Sequence, residues 1–273
     1  MVLCDLFKDL GLAPMVTLLA GIFFINLIVV YLMAVIKGDV DPFLPYISEA
    51  ADKRPQSCVF AIFTNISSII LLLIVFARYR QVRGMAHSQN DEKLYYYNKK
   101  TKWFGYLACV GMFLVANVQD TAAIDVHMTS AAITFGSFNV YMITQCYITY
   151  RTTPELTTAG LLYYRMMCAF TSLTAFILAI TFGYTASSLF HHTYPDLPTP
   201  RPWNRKIYQP GYEFHQASAV CEWICAIGQI FFIQSFGPEF EDMTLLYYFR
   251  SLYIVHAPEE HEAWDEDEQQ HGF

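Results

Sequence analysis

The chain has 273 residues, 55% of them hydrophobic and 16% aromatic, with 15% charged and a formal net charge of −7. Soluble domains carry about 25% charged residues, so this composition argues against an ordinary soluble globule. Nothing in the balance of charge points to a nucleic-acid partner; cations gather only in residues 78–102, beside an apolar run, where anionic lipid is the expected neighbour.

A bilayer core of about 30 Å requires about 20 apolar residues in a helix. Windows at 14–36, 57–77, 103–119, 122–148, 166–190 and 213–236 fit or nearly fit that length. In lipid, every backbone polar group must be paired internally, so these runs have to be helices. The expectation is an all-α polytopic membrane protein. Residues 1–236 form one bundle of six transmembrane helices, and residues 237–273 form a tail with an interfacial helix and an acidic, disordered end. The opening "MVLCDLFKDLGLAP" leads into an apolar run too long for a cleavable signal, so span one is expected to remain as an anchor.

Spans one and two are joined by "DPFLPYISEAADKRP", residues 41–55. Prolines 42, 45 and 55 stiffen it at low entropic cost. Asp41, Glu49 and Asp52 offer carboxylates to turn amides, while Tyr46 and Ile47 can dip back onto the bundle. The segment reads as an exterior cap made by Asp41, Pro42, Pro45, Tyr46, Ile47, Ser48 and Glu49, packed over a polar layer inside the membrane. Span two holds the triplet "NIS" at Asn65, out of reach of glycosylation. After it, residues 78–102 read as a basic loop, and "YYY" at 95–97 with "NKKTKW" reads as an interface anchor for span three. The link "VQDTAA" makes spans three and four antiparallel neighbours. The second exterior loop carries prolines 195, 198, 200, 202 and 210, which exclude a helix there.

Lysines and arginines set orientation. Arg78, Arg80, Arg83, Lys93, Lys99, Lys100 and Lys102, with Lys8, Arg151, Arg165 and Arg250, fall on one side, which places both termini in the cytosol. The seven cysteines lie mostly within spans and form no disulfide framework.

Ionisable groups inside a membrane are functional hypotheses by default. Asp125 and His127 open span four; His215 and Glu222 share a face of span six, seven residues apart; Asn117 closes span three. Three readings of this layer compete: a structural polar network between helices, a site for a lipid headgroup, and a metal or acid–base site of an intramembrane hydrolase. No compact H-E-x-x-H pairing exists, so no catalytic residue, metal ligand or cofactor is assigned. Beyond span six, "EDMTLL" places Glu241 four residues before Leu245 and Leu246. That is an acidic-dileucine sorting pattern of the kind clathrin adaptors bind.

Several blocks occur in a fixed order: "GDVDPFLPYISEAADKRPQSCVF", "ARYRQV", "VANVQ", "HMTSAAITFG" and "CEW". Together they resemble the Frag/DRAM/Sfk family of six-span membrane proteins, most closely its damage-regulated autophagy modulators, across residues 14–236. The matching positions are Asp41, Pro42, Pro45, Tyr46, Ile47, Ser48, Asn117, His127, Glu222 and Trp223. The resemblance implies six helices with cytosolic ends and no catalytic residues that can be carried over. It further implies a non-enzymatic modulator of autophagy, lysosomal function and cell death at the lysosomal or late-endosomal membrane, with cytosolic autophagy or kinase-complex proteins and membrane lipids as partners. "HQASAVCEWIC" looks closer to the plasma-membrane branch, which regulates a phosphoinositide kinase. The alternative is a lipid-active protein, either a hydrolase or a lipid-handling factor, using the polar layer.

Overall fold

The computed structural model describes residues 11–198, 208–241 and 243. Their elements are α1 (Leu12–Ile36), α2 (Ile47–Ala50), α3 (Gln56–Ser88), α4 (Glu92–Asn117), α5 (Ile124–Arg151), α6 (Ala159–Thr193) and α7 (Tyr212–Gln234), then a 3₁₀ turn, Pro238–Phe240. Local chemistry explains the starts. Pro14 lies in the first turn of α1, where its missing N–H is tolerated. Thr158 caps α6 by accepting from the Leu161 amide at 3.3 Å.

Four helical segments are long and apolar enough to cross a membrane: Leu12–Ile36, Gln56–Ser88, Ala159–Thr193 and Tyr212–Phe240. Helices α4 and α5, of 26 and 28 residues, have the length but are less apolar. The six long helices form a ring in the order α1, α3, α4, α5, α6, α7, and α7 returns to α1 along a sparse seam. Outward faces are apolar, with Ile69 60% and Phe170 73% exposed, as a lipid-facing surface requires. Inside, Leu27, Val30, Ala34, Ile47, Phe60 and Ala226 pack at the end that carries α2. Val16, Ile74, Met142, Phe232, Phe236 and Phe240 fill the opposite end.

Two glycines let α4 sit tightly against its neighbours, Gly111 against α5 and Gly105 against α3. A Cβ on Gly111 would lie 2.8 Å from the Thr134 backbone nitrogen and 2.7 Å from its hydroxyl. One on Gly105 would meet the side chain of Val75 at 2.6 Å. Small residues at such points let helix backbones approach within a membrane.

One expectation is corrected. Residues 78–102 are not a loop: α3 runs to Ser88 and α4 starts at Glu92, leaving a turn at 89–91. The segment has no proline and only Gly84, so it stays helical on both sides of the turn, where Asn90 takes a positive φ of 54°. Asp91 caps α4 by accepting from the Leu94 amide at 3.0 Å, and it pairs with Arg151 at the end of α5. The Tyr97 and Tyr147 rings meet edge-on at 4.7 Å. The "YYY" run therefore lies on a helical hairpin that stands beyond the length a bilayer core needs.

The Leu94 amide, then the Arg151 guanidinium, hold the Asp91 carboxyl below its ordinary 3.8. A depressed carboxylate contributes stability above its unfolded pKa and loses it as pH falls through the folded value. Asp91→Ala is expected to cost about 1 kcal/mol, a typical N-cap loss. In the wild type, hydrogen exchange in the first turn of α4 should stay slow on mild acidification and accelerate only below pH 3.8. Acceleration well above that pH would show that the cap does not hold the turn.

Candidate functional site

The segment between α1 and α3 packs across one end of the bundle. Its backbone is fixed by side chains of α1 and α7: the Tyr31 hydroxyl donates to the Pro42 carbonyl at 2.6 Å, and the Trp223 indole N–H donates to the Pro45 carbonyl at 2.8 Å. The Ile47 amide donates to Glu222 Oε2 at 2.8 Å, placing the start of α2 on a carboxyl of α7. Glu49, itself buried, accepts from the Tyr46 amide at 3.2 Å and lies 3.6 Å from His215 Nε2. The Tyr46 ring meets the His215 ring at 4.9 Å. Asp41 accepts from the Phe43 amide.

Two further ties close the cap. Asp52 Oδ1 accepts from the amide and hydroxyl of Thr121, in the link between α4 and α5, at 3.0 and 2.9 Å. Asp39 receives Gln56 Nε2 at 2.6 Å and lies 3.2 Å from both Lys37 and Lys53. Burial pushes the Asp39 carboxyl up, but the hydrogen bonds from Gln56, Lys53 and Lys37 prevail and hold it below its usual range. That lock therefore persists in mild acid.

Beneath the cap lies a cavity of about 110 Å³. Ser48, His127 and Glu222 line it, and its walls are otherwise mostly apolar. Its lining runs from Phe60 to Leu71 on α3, from His127 to Phe138 on α5 and from Glu222 to Ile233 on α7. Each stretch covers three helical turns, about 16 Å. His127 Nδ1 lies 2.6 Å from the Val118 carbonyl. A carbonyl only accepts, so Nδ1 is the donor in this contact.

The predicted layer is thus only partly assembled. His127 and Glu222 share the cavity, whereas His215 belongs to the cap contact with Glu49 and Tyr46. Asp125 is exposed on the first turn of α5 and does not line this cavity. Asn117 is exposed as well, and exchanges amide hydrogen bonds with Asn65 at 2.9 and 3.2 Å. Glu241 is exposed just after the 3₁₀ turn; Leu245 and Leu246 lie outside the described residues. Among the described residues, no three His, Cys, Asp or Glu side chains gather closely enough to hold a metal ion.

The opposite end holds a feature the sequence reading missed. Arg78 and Arg165, counted there as cations of the cytosolic side, have side chains 0% exposed, and the Glu239 side chain between them is 2% exposed. Arg78 Nη1 lies 3.1 Å from Glu239 Oε2; Arg165 grips the same carboxylate with both terminal nitrogens. Arg165 also donates to Ser235 Oγ at 2.8 Å, the Ser235 carbonyl at 2.9 Å and Thr149 Oγ1 at 2.8 Å. The Phe236 ring lies against both guanidiniums, 5.1 Å from Arg78 Cζ and 4.6 Å from Arg165 Cζ. A signal was present: each arginine abuts an apolar window, and Glu239 sits between Phe236 and Phe240. The partner was hidden because the turn at Gly237 and Pro238 folds Glu239 back under the bundle.

No solved structure matches this chain. The model of the family described as Frag1/DRAM/Sfk1/Cwh43P N-terminal domain matches residues 12–243. DNA damage-regulated autophagy modulator protein 1 of Mus musculus is 31% identical over 222 residues, covering 80% of this chain and 86% of that one. DNA damage-regulated autophagy modulator protein 2 of Bos taurus is 28% identical over 218 residues, 79% of each chain. Modulator of macroautophagy TMEM150B of Danio rerio is 31% identical over 133 residues, 48% of this chain and 55% of its own. The match spans α1 through the 3₁₀ turn, cap and buried charge cluster included, and on that extent the chain belongs to the Frag1/DRAM/Sfk1/Cwh43P N-terminal domain family.

Proposed function

We propose that this protein is a six-span membrane modulator of autophagy that acts as a non-enzymatic scaffold at the lysosomal or late-endosomal membrane. The observation that carries this reading is similarity along about four-fifths of the chain to proteins named as autophagy modulators. The geometry is in keeping with it: under the cap, polar side chains bond pairwise to neighbouring backbone, Glu222 to Ile47, Trp223 to Pro45 and His127 to Val118. Both chain ends and the α3–α4 hairpin face the cytosol in this reading and meet autophagy or kinase-complex proteins there. Glu241, Leu245 and Leu246 recruit clathrin adaptors that sort the protein away from the plasma membrane.

A second reading, a lipid-handling protein, draws on one observation, the capped cavity lined by His127 and Glu222. Complementation of a null cell line separates the two. Autophagic flux should fall without the protein and return with the wild-type chain. On the scaffold reading, His127→Ala and Glu222→Ala chains that reach the lysosome at normal level also restore flux. Failure of flux at normal level and location would overturn that reading in favour of lipid handling.

A further inference from the structure

The turn after α7 delivers the rest of the chain to the foot of the α3–α4 hairpin. Gln81 Nε2 donates to the Glu239 carbonyl at 2.6 Å, and Arg78 of the same helix pairs with the Glu239 carboxylate. Met243 is held at the same end, its carbonyl accepting from the Leu12 amide at 2.8 Å. Hairpin and tail therefore share one end of the bundle whichever way the chain is oriented. Glu259 lies sixteen residues beyond Met243, a reach of up to about 50 Å. Helix α3 rises only about 10 Å from Gln81 to Ser88.

The hairpin presents charge of one sign. Arg80, Arg83, Lys93, Lys99 and Lys100 are all exposed. Its carboxylates are Asp91, which pairs with Arg151, and Glu92. On α4, Lys93, Tyr96 and Lys100 lie at i, i+3 and i+7, hence on one face. Tyr96 is 55% exposed there, with Lys100 Nζ 5.6 Å from its ring centre. A membrane surface does not cover this face. Trp103, exposed at the foot of the apolar window, sits where an interface anchor belongs. Lys93 stands ten residues further along α4, about 15 Å, and the potential of an anionic leaflet fades within about 8 Å. Residues 259–268, outside the described residues, carry seven carboxylates, no lysine or arginine, and Trp264. Single exposed ion pairs are weak, but several pairs made by a tethered segment form at high effective concentration. We propose that residues 259–268 of this chain dock on the basic face of the α3–α4 hairpin at Lys93, Tyr96 and Lys100, with Trp264 against the Tyr96 ring.

The full-length protein, one molecule per phosphatidylcholine nanodisc, is treated with a carbodiimide, which joins a lysine amine to a carboxylate it touches. Peptide mass spectrometry maps the links. The expected result is links from residues 259–268 to Lys93, Lys99 or Lys100. They should fall about tenfold in 1 M salt, where the Debye length is about 3 Å. Lys93→Gln with Lys100→Gln should lower the links at Lys99 about tenfold, the effect of losing two to three exposed pairs. Tyr96→Ala should lower the links about fivefold, the effect of losing an aromatic pair. All three side chains are exposed, so the thermal melt should not move in either variant. Links to Lys8 as frequent as links to the hairpin would show a tail without a set place and overturn the docking. Links that disappear when phosphatidylserine is added to the disc would assign the face to anionic lipid instead. A Tyr96→Ala chain that links as the wild type does would remove the aromatic contact. Absence of hairpin links in both lipids would remove the site.

Discussion

Glu239→Ala destabilises the bundle by about 3–5 kcal/mol, the usual cost of breaking a buried ion pair. The carboxylate serves two guanidiniums that are both fully buried, one from α3 and one from α6. Removing it leaves two uncompensated charges in a site without water access, and unties the turn after α7 from both helices. The two arginines should not respond alike. Arg165 spends all its donor groups on Ser235, Thr149 and Glu239. Arg78 leaves its Nη2 without a partner among the described residues. Arg78→Met leaves a neutral Arg165–Glu239 pair and should cost clearly less than Arg165→Met. Thermal unfolding in detergent, followed by loss of the monodisperse peak, measures all three. Equal losses at Arg78 and Arg165 would show that packing rather than charge stoichiometry governs this end.

The second large effect lies at Gly111. In an open helix, Gly→Ala gains about 0.5–1 kcal/mol by reducing backbone freedom in the unfolded chain. Gly84 on α3 has open space where a Cβ would go, so Gly84→Ala should show that gain. Gly111→Ala should reverse the sign and cost about 1–3 kcal/mol, an overpacking penalty. The new Cβ would press on the Thr134 backbone nitrogen, which cannot turn aside as a side chain can. Gly105→Ala should fall between them, because its obstacle is a Val75 side chain. The same melting assay ranks the three; a stabilised Gly111→Ala would mean that α4 and α5 can separate at little cost.

Helix positions were legible because runs of apolar residues leave few alternatives in lipid. The cap was legible too: its prolines and its Tyr46–Ile47 pair announced a segment that turns back on the bundle. Three things were not. The 78–102 stretch looked like a loop because it is charged, yet charge does not break a helix; the chain turns only at 89–91, where Asn90 takes a left-handed φ. Asp125 was grouped with His127 by proximity in sequence. Two residues on a helix point about 200° apart, so one faces out while the other lines the cavity. Arg78 and Arg165 were assigned to water because Arg is rarely buried unpaired, and their partner lies more than 70 residues away in sequence from either one.

The α3–α4 hairpin has a practical consequence. Helix α3 is 33 residues long, about 50 Å, against about 30 Å of hydrocarbon. The surplus is rigid: it is packed by Val82, Ala86, Leu94 and Ile148 and fastened to α5 through Asp91 and Arg151. A small membrane protein offers few features for orienting it in electron cryomicroscopy images. Here a helical fiducial protein spliced at residues 89–90 would continue two existing helices, and would move with the bundle as one body.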